Sequence, residues 1–167
     1  MQKKRRTFII LYHGSNVQID AIELRRCNRF KDFGQAFYLS ADKSQAEEIA
    51  QTRADFLGGS PIVNSFEFDE QVLSKGILNY KKFHHYGIEW AQFVWDNRDE
   101  KRPVLYTHNY DIVYGPIMND TIGFQMREFR KRNISLREFL EGIKYTRGET
   151  FQYAFCTERA IKYLYKL

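Results

Sequence analysis

The sequence predicts an α+β fold with antiparallel sheets, and three observations carry that prediction. Short apolar, β-branched or aromatic runs recur along the chain and read as strands. Segments of helical spacing fall between them without regular alternation, which argues against a doubly wound parallel sheet. The 167 residues contain three prolines and no proline-rich or serine-rich linker, so residues 1–167 read as a single domain.

Taken in order, Phe8 to Tyr12 is a buried strand that ends at the turn-type cluster His13-Gly14-Ser15-Asn16. Phe37-Tyr38-Leu39 is a second strand, entered through the Asp32-Phe33-Gly34 turn. Ser40, Asp42 and Ser44 are alternative N-caps for a helix from about Lys43 to Phe56, and Ser44 with Glu47 fits a capping box. Gly58-Gly59-Ser60-Pro61 stops it, and Ile62 to Phe68 alternates as a strand. Tyr86 to Asn97 places Trp90, Phe93 and Val94 at helical spacing, as a core face. Asp111 to Pro116 reads as a strand broken by Gly-Pro, and Thr121 to Arg132 as a helix. Ser135 and Glu138 form a capping box for a helix reaching about Tyr145, in a region ended by Gly148. Phe151 to Cys156 is strand-like, and Thr157 caps a final helix to Leu167.

The composition, 43% hydrophobic and 28% charged, is that of a globular protein with a real core. The formal charge of +5 has one focus in Lys3, Lys4, Arg5 and Arg6 and a second in Arg127, Arg130, Lys131 and Arg132. Such clusters favour an anionic partner, although a solvated face is their plainer reading. The two cysteines, Cys27 and Cys156, are far apart, and the four histidines form no Cys/His cluster, so neither a metal site nor a disulfide scaffold is expected. A reducing cytoplasm is the expected compartment, with no membrane association. No apolar run approaches the ~20 residues of a membrane span, and Thr7 to Tyr12 is too short for a signal-peptide core. The Gly-rich fingerprints of common dinucleotide and P-loop sites are absent.

Three short signals bear on chemistry: Tyr12-His13-Gly14-Ser15, then Asp32-Phe33-Gly34-Gln35-Ala36-Phe37-Tyr38-Leu39-Ser40, then Phe151-Gln152-Tyr153-Ala154-Phe155. Each alone has an ordinary structural reading: a strand-end His, a core Tyr, a lone Gln. In this order they resemble the His–Tyr–[Glu/Gln] triad of the ADP-ribosyltransferase superfamily, in its diphtheria-toxin and poly-ADP-ribose-polymerase branch. The nearer resemblance is to small bacterial proteins of that superfamily with Y-H-G-S, D-F-G-x-G-F-Y, D-I-V-x-G-P-x-x-[ND]-D and Q-[YI]-x-F motifs. Here these are Tyr12–Ser15, Asp32–Tyr38, Asp111–Asp120 and Gln152–Phe155, so the resemblance covers nearly the whole chain. Ala36 stands where glycine is usual, which requires a backbone without positive φ, and Met118 replaces a small residue.

The resemblance implies a split antiparallel β-sandwich with flanking helices and NAD as co-substrate, without a metal. It implies that His13 donates to a ribose hydroxyl, that the Gly14 main chain meets the nicotinamide carboxamide beside Ser15, and that Tyr38 stacks on the nicotinamide. Ser40 would add a hydroxyl on the face of Tyr38. Gln152 occupies the position where relatives carry a catalytic Glu. Its amide can hold the ribose 2′-OH but supplies no negative charge and no general base. Either positioning is sufficient, or a carboxylate nearby supplies the charge. Asp120, Asp111 and Glu149 are candidates, with Asp120 favoured from its place in the Asn119-Asp120 pair of the motif. The plainer reading of Asp120 is an N-cap for the following helix. Asp32 is expected to close an Asx-turn on its own backbone, and Asp111 to be structural. The implied activity is mono-ADP-ribosyl transfer to a protein or nucleic-acid acceptor, as in a toxin held by a small antitoxin or immunity partner. NAD hydrolysis, and an inactive NAD- or nucleic-acid-binding module, are the alternatives.

Overall fold

The computed structural model describes residues 7–144 and 149–167. The basic run Lys3 to Arg6, Tyr145 and Gly148 lie outside the described residues. Within them the elements are β1 (Phe8–Ser15), a 3₁₀ turn (Leu24–Arg26), β2 (Phe37–Leu39), α1 (Lys43–Leu57), β3 (Ile62–Asp69), α2 (Gln71–Ser74) and β4 (Tyr80–Lys82). There follow α3 (Ile88–Arg98), β5 (Ile112–Pro116), α4 (Asp120–Arg130), α5 (Leu136–Lys144), β6 (Phe151–Phe155), α6 (Glu158–Ile161) and β7 (Leu164–Lys166). The protein is α+β, with sheets ordered β1-β3-β7 and β2-β6-β5-β4. The first sheet is antiparallel throughout. The second is mixed, because β4 joins β5 in parallel, which corrects the all-antiparallel expectation. One bridge links the sheets: Tyr12 N–H donates to Ser40 O at 2.7 Å and Ser40 N–H to Tyr12 O at 2.9 Å.

Strand alternation divides the second sheet between two cores. Phe37, Leu39, Ile112, Tyr153 and Phe155 face Leu11, Phe66 and Phe68 of the first sheet. Edge-on rings fasten this layer, Phe68 against Phe155 at 5.1 Å and Phe37 against Phe66 at 5.6 Å. The opposite face turns Val113 and Ala154 onto α3, α4 and α5, where Trp90, Val94, Ile122, Met126 and Phe139 are buried. Each of these fully buried side chains contributes about 1.5–3 kcal/mol of apolar transfer free energy. Tyr38 and Gln152 lie on this second, helix-side face.

Capping follows local chemistry, with adjustments. Asp42 caps α1, its carboxylate accepting from Ser44 N–H at 2.9 Å, in place of the Ser44–Glu47 box. The Ser135–Glu138 box forms reciprocally at 3.2 and 2.7 Å. Asn119, not Asp120, caps α4 by accepting from Ile122 N–H at 2.9 Å. Thr157 caps α6 as expected, but α6 lasts only four residues. The predicted final helix gives way to β7, which pairs with β3 from Phe66–Lys166 to Phe68–Leu164. β1 also continues through His13 and Gly14 to Ser15, so that cluster is strand rather than turn. Among the described residues no helix is long and apolar enough to cross a membrane.

Candidate active site

β1 and β2 separate after the Tyr12–Ser40 bridge and leave a cleft of about 190 Å³. It is lined by His13, Gly14, Asp32, Tyr38, Ser40 and Gln152, with Arg98 and Met118 at one side. The structure therefore brings together the three side chains singled out from the sequence. Tyr38 pairs with Ala154 across β2–β6, so Gln152, two residues back on β6, is its diagonal neighbour on the same face.

His13 Nδ1 lies 2.7 Å from Tyr38 O. A carbonyl only accepts, so Nδ1 carries the hydrogen and donates, leaving Nε2 with a lone pair. Burial lowers the imidazole pKa from 6.5 to about 4, helped by the charges of Arg53 and Lys31 and opposed by the bond to Tyr38. The neutral ring stacks on Phe37 with centroids 4.3 Å apart. His13 consequently presents an acceptor at Nε2, which reverses the donor role expected from the resemblance.

Gly14 has an in-plane and an out-of-plane role. A strand reverses its polar groups at each residue, so the Gly14 N–H and C=O point as those of Tyr12 do, toward β2. Beyond the bridge β2 has diverged, and they face the cleft. The missing side chain serves α1 instead: a Cβ here would stand 2.1 Å from Ala46 O and 2.7 Å from Ala50 N. Packing of α1 on β1 requires this glycine. Ser15 is 2% exposed, its Oγ accepts from Val17 N–H at 3.3 Å, and it does not line the cleft.

Tyr38 Oη donates to Gly34 O at 2.7 Å and accepts from Phe33 N–H at 3.0 Å. Burial holds the phenol well above its usual pKa, so it stays neutral. These bonds brace the ring on the 33–34 turn and leave a face toward Lys31, whose Nζ lies 5.5 Å from the centroid. Gly34 adopts φ +84°, and a Cβ would come within 2.7 Å of Asn97 Oδ1, so α3 and this turn fit only around glycine. Ala36 is buried and outside the positive-φ residues, so its replacement of glycine carries no backbone strain. Ser40 Oγ accepts from Asp42 N–H at 2.9 Å and donates to Gln45 Oε1 at 2.5 Å, which commits its hydroxyl to the start of α1.

The carboxylate beside Gln152 is Asp32. Gln152 Nε2 donates to Asp32 Oδ2 at 3.2 Å, and Met118 N–H donates to the same oxygen at 3.1 Å. Asp32 Oδ1 receives Arg98 Nε at 2.7 Å and Nη2 at 2.6 Å. At 4% exposure Asp32 is a buried hub joining four segments, not the local Asx-turn expected. Because its carboxylate only accepts, it orients the Gln152 amide with Oε1 turned away as a free acceptor direction. α3 supports the hub from below: Trp90 Nε1 donates to Pro116 O at 3.0 Å, and Tyr86, just ahead of the helix, donates from Oη to Ile117 O at 2.6 Å. Asp120, the favoured candidate, is the exposed first residue of α4 and does not line the cleft. Asp111 is structural, accepting from Asn79 N–H at 2.8 Å and Thr157 Oγ1 at 2.7 Å. Glu149 lies near His85, at 3.8 Å, and does not line the cleft. The 120-residue separation of Asp32 and Gln152 hides this pair from local pattern reading; the only sequence trace of it is that both sit inside motif stretches.

A second hollow of about 490 Å³ adjoins the first and shares His13, Lys31, Tyr38 and Arg53 with it. Ile19 and Ile22 give it apolar walls, and Arg26 adds a cation. Comparison with curated proteins and with solved structures gives no match. The model of a family described as a protein of unknown function, DUF3990, matches residues 9–165. That match takes in both sheets and every cleft residue, and the protein belongs to the DUF3990 family.

Proposed function

We propose that the protein is an NAD-dependent mono-ADP-ribosyltransferase whose reaction centre is the cleft between β1 and β2. The observation that carries this reading is the convergence of His13, Tyr38 and Gln152 on one hollow, with the Asp32 carboxylate holding the Gln152 amide. The Gly14 main chain offers a donor and an acceptor to the nicotinamide carboxamide. The Tyr38 ring offers a flat face to the pyridinium, on the side where it already attracts the Lys31 ammonium. His13 Nε2 accepts from a ribose hydroxyl. Gln152 Oε1 accepts from the 2′-OH of the nicotinamide ribose and orients it. The adjoining hollow, with apolar walls and Arg26, Lys31 and Arg53, suits the adenosine and diphosphate.

In the transfer, the bond between ribose C1′ and nicotinamide breaks and its electron pair neutralises the pyridinium nitrogen. A bond from C1′ to the acceptor nucleophile forms, and the acceptor loses a proton. The transition state places positive charge on the ribose, as in glycoside hydrolysis. Asp32 lies one amide away from that charge and is balanced by Arg98, so its contribution is orientation of Gln152 first and field second. This supports slow single transfer over chain extension, because Gln152, unlike a Glu, cannot act as the base that activates an incoming ribose hydroxyl. The test is incubation with NAD labelled in the adenylate and with cell extract. Transfer of label by the wild type, and its loss in His13→Ala, Tyr38→Ala and Gln152→Ala, is expected. Label transfer that survives all three changes contradicts the reading. Nicotinamide release with no labelled macromolecule would assign hydrolysis instead.

A further inference from the structure

Beyond Arg98, the C-terminal ends of α3 and α4 and the turn after α3 enclose a groove of about 810 Å³. Its walls carry six basic side chains, Arg98, Lys101, Arg102, Arg127, Arg130 and Lys131, against two acidic ones, Asp99 and Glu100. Helix C-termini favour cations, which accounts for part of this. It does not account for Lys101 and Arg102, which lie past the end of α3. Three of the six are balanced by nearby carboxylates: Arg98 pairs with Asp32 at 2.6 Å, Arg102 with Asp96 at 2.9 Å and Arg130 with Asp99 at 3.4 Å. Lys101, Arg127 and Lys131 are exposed and form no ion pair among the described residues. The Arg130 guanidinium stacks 3.4 Å from the Trp95 ring centroid and makes a flat, cationic platform on the groove wall. Arg98 lines both this groove and the cleft, and its guanidinium holds Asp32, which holds Gln152.

We infer that the groove binds the phosphodiester backbone of a single-stranded nucleic acid and delivers one of its bases to the cleft as the ADP-ribose acceptor. This rests on the reading of the cleft as an NAD site. Unpaired cations take the phosphates, while the Trp95–Arg130 platform takes a base by stacking, the combination that suits single strands. A duplex would keep its bases stacked and out of reach of C1′. The nucleophile is a base amine: its nitrogen bonds to C1′, nicotinamide leaves with the electron pair of the broken bond, and the amine proton passes to water.

The test uses Lys101→Gln/Arg127→Gln/Lys131→Gln, a triple variant away from the reacting groups. Fluorescence anisotropy follows short labelled RNA and DNA strands, and calorimetry follows NAD in parallel. The wild type is expected to bind a strand, and the variant to bind it roughly tenfold more weakly. The slope of log affinity on log salt should fall by about 2, since each phosphate that a cation neutralises on a single strand contributes ~0.7. NAD affinity should be the same in both, and at subsaturating strand the label from NAD should appear on it roughly tenfold faster with the wild type. Equal strand binding by both proteins would overturn the inference. So would displacement of the strand by polyglutamate at equal charge, which would assign the groove to acidic proteins. A wild type that binds NAD but no strand overturns this inference alone. One that binds a strand but no NAD overturns the transfer reading, and with it the acceptor role.

Discussion

At His13 a single hydrogen bond decides the chemistry. Donation from Nδ1 to Tyr38 O makes Nε2 the acceptor, and burial lowers the pKa to about 4. The unfolded imidazole titrates near 6.5, so unfolding takes up a proton between these two values. Stability therefore falls as pH drops through that window, and His13→Gln should flatten the fall in urea denaturation series. NAD affinity should decline over the lower part of the same window, because a protonated Nε2 no longer accepts. The Asp32–Gln152 pair gives a sharper contrast. Asp32→Asn removes the charge that fixes the Gln152 amide and should slow nicotinamide release about tenfold or more, the effect of one misplaced hydrogen bond in the transition state. Asp120→Asn should leave the rate unchanged, since its side chain is exposed on α4. His13, Tyr38 and Gln152 were legible in the sequence only through the combined resemblance of three short motifs, each of which alone has an ordinary structural reading. Asp32 was not, because its partners Arg98, Met118 and Gln152 come from other parts of the chain and only the closed sheet joins them.

At the level of elements, β1 and α1 set the width of the cleft. Ala46, Ala50 and Ala54 form the buried side of α1, and Gly14 lets that backbone settle on β1. Gly14→Ala would push a methyl into the Ala46 carbonyl, where neither side can yield. A loss of about 3 kcal/mol is expected in chemical denaturation, the upper range for overpacking. Removing the α4 cap by Asn119→Ala should cost about 1 kcal/mol, while Asp120→Ala costs less. Caps and apolar periodicity made α1, α3, α4, α5 and the longer strands readable to within a few residues. Of the short elements, β2 was read as Phe37 to Leu39, but β4 and β7 were not readable. β4 is Tyr-Lys-Lys, with little strand character of its own, and exists through its parallel pairing to β5. β7 competes with a continuing helix and prevails because Leu164 and Lys166 complete the edge of β3. Local propensity is silent about partners supplied from across the molecule.

For the whole molecule, two sheets joined by one bridge and a shared apolar core leave the cleft where β1 and β2 part, and a ligand that spans it should stabilise the fold. Saturating NAD at about 100 times its Kd should add about 2.7 kcal/mol and raise Tm accordingly. The α+β class followed from strand runs that alternate irregularly with helices. The split between sheets came only with the resemblance, since nothing in a strand's own residues says which sheet it joins. The most direct measurement is calorimetric titration of NAD into the wild type and into Tyr38→Ala and Gln152→Ala variants whose folding is verified by circular dichroism. One saturable site, weakened roughly tenfold or more by each change, is the predicted result. NAD binding that is absent from the wild type, or indifferent to both changes, would contradict the account.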